Sequence, residues 1–220
     1  MTRIGDALAS SVGKKVVMGA TGLLLVGFLV EHLLGNLKLF EDSDGSAFDA
    51  YVEFLSGFGP LLVVAELGLA ALFLVHIYLA FRLTLENIQA RRQKYVVRSN
   101  RGASTLGSVS MFYTGAIILG YLIKHLLDFR FDRDFFADPD ALVKSTLSQP
   151  KHAIFYLVAA VAVGIHLSHG FKSAFQSIGV NHPRLAPGLA KASVLLAIAF
   201  ALGFASFPIY FLFFWSPGGE

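Results

Sequence analysis

Thr21–Leu34 reads TGLLLVGFLVEHLL, and Thr114–Leu127 reads TGAIILGYLIKHLL. The two stretches share one frame: Thr-Gly stands eleven residues before a histidine, a second glycine (Gly27, Gly120) five before it, and Leu-Leu follows. Each is apolar enough for a membrane span, yet carries His32 or His125 beside a charged neighbour, Glu31 or Lys124. An ionisable side chain at membrane depth is costly and marks a functional position by default. A looser second frame also repeats. His76 is followed at +4 to +6 by Ala80, Phe81 and Arg82, and His166 by Gly170, Phe171 and Lys172. The separations, 93 residues for the first frame and 90 for the second, predict a duplicated two-helix unit. Internal repeats of this kind place sites between the halves.

The rest of the chain fits that reading. Of its 220 residues 55% are hydrophobic and 15% charged, and the mean hydropathy is +0.63. A soluble domain is about a quarter charged, so an all-α integral membrane protein is expected. Spans of ~20 apolar residues fall at about 17–39, 61–83, 107–127, 153–174 and 188–215. Alternating strands at ten-residue spacing are absent, which rules out a β-barrel. Pro208 is expected to kink the fifth span or end its regular part. Residues 1–16 hold Arg3, Asp6, Lys14 and Lys15 and no apolar core, so no cleavable signal is read and the first span is expected to stay. With no cysteine, disulfides, thiolate metal sites, iron–sulfur ligation and c-type haem attachment are excluded.

Charge sets the orientation. Segment 1–15 and loops 82–101 and 172–191 hold 12 of the 18 basic residues. Loops 40–60 and 128–151 hold ten of the 15 acids. The positive-inside rule then places the N-terminus and the second and fourth loops in the cytoplasm and the C-terminus outside.

Each histidine lies toward the C-terminal end of its span, and alternate spans run in opposite directions. His32 and His125 are therefore expected near the outer face, His76 and His166 near the cytoplasm, on levels roughly 10–15 Å apart. Two facing histidines at one level are what a six-coordinate b-type haem requires. A four-helix bundle can present them from facing helices, with Ala80, Gly170, Gly27 and Gly120 leaving room for the macrocycle. The expected architecture is a four-helix haem-binding bundle with a peripheral fifth helix. The alternative from another class is a haem-free histidine-containing transporter, which predicts staggered histidines and more carboxylates at midplane.

Three stretches carry a family resemblance: GKKVVMGATGLLLVGFLVEHLLGNLKLF (13–40), HIYLAFRLTLENIQARRQKY (76–95) and HLSHGFKSAFQSIGVNHP (166–183). They resemble the five-helix, dihaem cytochrome b membrane anchor of succinate:quinone oxidoreductases and fumarate reductases, over essentially the whole chain. The resemblance implies two b haems with bis-histidine ligation, an outer one on His32 and His125 and an inner one on His76 and His166. It implies flavoprotein and iron–sulfur partners on the cytoplasmic face, a quinone substrate (usually menaquinone), and the cytoplasmic membrane of a bacterium or archaeon. A higher oligomer of that complex is compatible with it, and no nucleic-acid partner is expected. The cytochrome b of a formate dehydrogenase or hydrogenase is the neighbouring alternative, disfavoured by the duplicated frame and the fifth helix.

His169 competes with His166 on the fourth span. The family frame of histidine, three residues, glycine, then glycine nine further on selects His166, Gly170 and Gly179. That leaves His169 as a propionate or polar-network partner. Arg82 and Lys172 are candidate propionate partners or ordinary cytoplasmic anchors, and 86–106 a docking segment. His152 and His182 are expected to be solvated. Glu66, about 8 Å below the outer boundary, is a candidate for quinone-linked proton exchange or an interhelical hydrogen-bonding group. Asp49 and Glu53 are its rivals, and Glu31 is expected in an interhelical ion pair.

Overall fold

The computed structural model describes residue 6 and residues 10–41, 45–90 and 106–216. Much of the basic rim (Arg3, Arg91, Arg92, Lys94, Arg98, Arg101), two rim acids (Asp42, Asp44) and most of the expected docking segment lie outside them. All described elements are helical. They are α1 (Ser11–Asn36), α2 (Ser46–Ser56), α3 (Pro60–Ala90), α4 (Leu106–His125), α5 (Pro139–Leu147), α6 (Pro150–Ser177) and α7 (Ala186–Phe213). A 3-10 turn, Leu37–Phe40, extends α1, and a π turn, Leu126–Arg130, extends α4.

Five of these helices are long and apolar enough to cross a membrane, where only internally bonded backbone is stable. They sit where the apolar runs predict, with longer ends: the first candidate span covers Ser11–Phe40 and the second Pro60–Gln89. The start of α1 is fixed by Ser10, whose side chain accepts from the Gly13 amide at 3.0 Å. Prolines open α3, α5 and α6, where a missing N–H costs nothing. Pro208 does not end its span. α7 runs through it to Phe213 with the ring buried.

The long helices alternate in direction, so α1, α4 and α7 end where α3 and α6 begin. That end carries the acidic loops; the other is the basic end. α3 packs on α1, α1 on α6, and α6 on α4. Close approach at these crossings relies on small residues, as is usual in membranes. A Cβ on Gly19 of α1 would lie 2.8 Å from the Ala174 carbonyl of α6. α7 lies against the far side of α6, where a Cβ on Gly164 would lie 2.8 Å from that of Ala201. Ser193 of α7 donates to the α6 carbonyls of Leu167 and Ser168 at 3.0 and 2.8 Å.

The fourth side of the bundle, between α3 and α4, is held at its two ends. Phe81 meets Phe112 edge-on at 5.8 Å toward the basic end. At the acidic end Arg130 forks onto Glu66, Nε to Oε1 at 2.8 Å and Nη2 to Oε2 at 2.9 Å. The four helices thus stand around a common interior.

The short helices α2 and α5 are not expected from the sequence, where both segments read as charged loops. Each presents an i, i+4 apolar pair, Phe48 with Val52 and Val143 with Leu147. These pairs pack with Leu39, Phe129, Tyr156, Phe207 and Phe211 into a core that caps the acidic end. The cap contains a buried ion pair, Asp140 with Lys144 at 2.6 Å, and Asp49 accepts from the Asp140 amide at 3.0 Å. Burial pushes the Asp140 carboxyl above the ordinary aspartate range; the Lys144 hydrogen bond opposes this, and Asp49 and Asp138 reinforce it. Gly45, at φ +82°, starts α2 against Asp140, and a Cβ there would overlap the carboxylate.

Candidate metal centre

The four repeated histidines lie on two levels, on helices at opposite corners of the bundle, and the pair at the acidic end is in ring contact. At the acidic end His32 of α1 and His125 of α4 have ring centroids 5.7 Å apart, at an interplanar angle of 86°. Phe28 stacks on His32 at 5.3 Å, and Phe204 of α7 lies 6.1 Å from the same ring. Phe129 stands edge-on to His125 at 5.2 Å, and the Tyr121 hydroxyl lies 3.3 Å from His125 Nδ1.

Toward the basic end, His76 of α3 and His166 of α6 lie at the level of Thr21 and Thr114, the equivalent threonines of the repeat. Both rings are anchored the same way. His76 Nδ1 is 3.1 Å from Thr21 Oγ1, and His166 Nδ1 is 3.1 Å from Thr114 Oγ1. Each threonine has already committed its proton to its own helix: Thr21 donates to the Met18 carbonyl at 3.0 Å, and Thr114 to those of Ser110 and Met111 at 3.0 and 3.2 Å. A hydroxyl has one proton; with it on the carbonyl, the threonine oxygen accepts from the ring, which puts the hydrogen on Nδ1 and leaves Nε2 its lone pair.

This contact explains the repeated Thr-Gly. The threonine bonds the histidine of the next long helix, and the glycine clears its ring. A Cβ on Gly22 would lie 3.4 Å from His76 Cε1, and one on Gly115 3.6 Å from His166 Cε1. Gly27 and Gly120, expected to make room for a macrocycle, point elsewhere. At 100° per residue, five positions turn a side chain about 140° from the histidine. Gly27 lies instead on a groove of about 350 Å³ outside α1, with Glu31, Gly35 and Tyr51. Thr21 and His32, eleven residues apart, share one face three turns apart, about 16 Å along the axis. Thr114 and His125 repeat that spacing. That puts the two histidine levels about 16 Å apart, beyond the roughly 10–15 Å expected from the sequence.

The other expected residues are placed as follows. Both carboxylate oxygens of Glu66 are occupied by Arg130. Arg82 pairs with Glu86 on its own helix at 3.2 Å, and Glu86 also takes Lys14 of α1. His169 and Lys172 are half-buried on α6, toward the basic end. Glu31, expected in an interhelical ion pair, forms none with the described residues. It accepts from Tyr51 of α2 at 2.6 Å, and burial together with that carboxylate holds the Tyr51 phenol protonated. Lys124 pairs with Asp128, which also accepts from Tyr156 at 3.1 Å. His152 is half-buried rather than solvated, with Nε2 3.2 Å from the Lys124 ammonium. His182 is exposed and its Nδ1 accepts from the Arg184 amide at 3.2 Å. Asp49 serves the α2–α5 contact, and Glu53 is exposed.

The threonines, Arg130, Tyr51 and Tyr121 are not singled out by sequence reasoning. For the threonines the signal is present in the repeat, since Thr-Gly recurs at a fixed distance from the histidine. Arg130 and Tyr51 have no such marker. Among the described residues no group of three or more histidines and carboxylates converges as a metal-ion site. The chain matches no family model, no curated protein and no solved structure.

Proposed function

We propose that this chain is a dihaem cytochrome b that relays electrons across the membrane, as the anchor subunit of a succinate:quinone oxidoreductase or fumarate reductase. The observation that carries the reading is the placing of the four repeated histidines two to a level, with His32 against His125 at one and His76 and His166 in matched threonine contacts at the other. A b haem takes two imidazoles from the protein, so histidines placed in twos match what it would need. His32 and His125, with ring centroids 5.7 Å apart, would hold one such group. At the other level the threonines leave Nε2 of His76 and His166 as the bare donor atoms.

A b haem bound at each level would supply a one-electron carrier that this polypeptide lacks. His32 and His125 would hold the outer one, and His76 and His166 the inner one. The apolar and aromatic walls around His32 and His125 exclude water, which tunes the redox potential through local dielectric. His169, Lys172 and Arg82, at the basic end of the bundle, are the groups nearest in type and place to what haem propionates require. By the positive-inside rule the basic end faces the cytoplasm. Flavoprotein and iron–sulfur subunits would dock there, and quinone, menaquinone by resemblance, would exchange electrons near the acidic end.

The deciding measurement is a pyridine haemochrome assay on the purified chain. Two b haems per polypeptide are expected, and none would remove the reading. Mild-detergent extraction from native membranes should also retain a flavoprotein and an iron–sulfur protein. Recovery of the chain alone, with full quinone-linked activity, would remove the assignment to this complex.

A further inference from the structure

Resting on that reading, we propose that Thr21 and Thr114 are positioning residues for the inner haem, tuning its potential through Nδ1 of His76 and His166. Each threonine is buried, at 7% and 5% exposure, on the long helix preceding that of its histidine. Each spends its own proton on a backbone carbonyl one turn back, so it acts only as an acceptor toward the ring. Four consequences follow from one bond. The tautomer is fixed with the hydrogen on Nδ1, and Nε2 is the only nitrogen free to ligate. The ring is held against rotation about χ2, with Gly22 and Gly115 keeping its flank clear. Accepting from Nδ1–H also makes the imidazole a stronger donor to iron. A stronger donor favours ferric over ferrous iron, so the bond holds the potential of that haem down.

The effect belongs to one level. His125 Nδ1 lies 3.3 Å from a tyrosine hydroxyl on its own helix, and His32 sits between the rings of Phe28 and Phe204. Neither is served by a threonine of the repeat, whose two copies both go to the inner pair. Because both bonds serve one iron, removing either should move the same potential, and removing both should move it further.

The test uses the full-length chain in native membranes, with Thr21→Val, Thr114→Val, the double variant, and Thr21→Ser and Thr114→Ser. Valine keeps the shape and deletes the acceptor; serine restores it. Haem content is read by pyridine haemochrome and the two midpoints by optical redox titration. Each valine variant should raise the midpoint of one and the same haem and leave the other at its wild-type value. The double variant should raise it more, and the serine variants should return it. If a valine variant loses that haem, as a ~10-fold or greater loss of affinity would allow, retention at the wild-type potential in the matching serine variant supports the bond. Loss in both overturns it. Wild-type midpoints in the valine variants, equal shifts with serine, or shifts in different haems from the two positions would each overturn the proposal. A wild-type chain without haem fails the functional reading instead, before any variant is compared.

Discussion

On the proposed function each b haem would need both histidines of its pair, so neither could stand in for the other. His32→Ala and His125→Ala should therefore give one and the same spectral loss, and His76→Ala and His166→Ala the other. His169→Ala should keep both haems. Loss of a haem there, with His166→Ala intact, would reassign the ligand on α6. Glu66 poses a different question. A carboxylate gripped by both nitrogens of a guanidinium fork is the stronger kind of ion pair, and this one joins α3 to the π turn after α4. A group so engaged is poorly placed to accept a proton from quinol. Glu66→Gln should keep both haems and leave quinone-linked turnover within about twofold. As both side chains are over one-third exposed, the stability cost should be about 1 kcal/mol or less. Collapse of quinone turnover with artificial-dye activity surviving would instead make Glu66 the proton-exchange group.

Among the elements, the acidic-end cap offers the cleanest energetic test. Asp140 and Lys144 are 8% and 6% exposed, so deleting one leaves the other as an unpaired buried charge. Lys144→Met or Asp140→Leu alone should cost about 3–5 kcal/mol, while the double replacement should be near neutral because neither charge then needs desolvation. Thermal unfolding in detergent, followed by helical circular dichroism, would check this; a double variant as unstable as the singles would refute it. The cap also marks the limit of what the sequence makes legible. The five long helices are readable because about 20 apolar residues in a row have few other uses. α2 and α5 escape notice because Asp49, Glu53 and Asp140 dominate their composition. The signals they do carry, Phe48 with Val52 and Val143 with Leu147, are too short to stand apart from chance. Likewise the histidine frames are legible as repetition, whereas the Thr–His bonds within them exist only once α1 and α3, or α4 and α6, are side by side. Arg130 reaches Glu66 from 64 residues away in the chain, a distance that local pattern does not span.

At the scale of the molecule, the two kinds of histidine contact divide along the duplication. Thr21 holds His76 within the first half of the chain, and Thr114 holds His166 within the second. His32 faces His125 across the boundary between the halves, and His76 and His166 share a level across it. Each half therefore positions one of its own histidines and completes neither pair by itself. In effect the polypeptide is a heterodimer whose two protomers happen to be joined, with both histidine pairs on the seam. Its connector, the stretch between α3 and α4, holds no histidine. Cutting the chain there and expressing the two fragments together should give two b haems per fragment pair. Either fragment expressed singly should yield no b haem with the native spectrum, and one that did would sever this account of the seam.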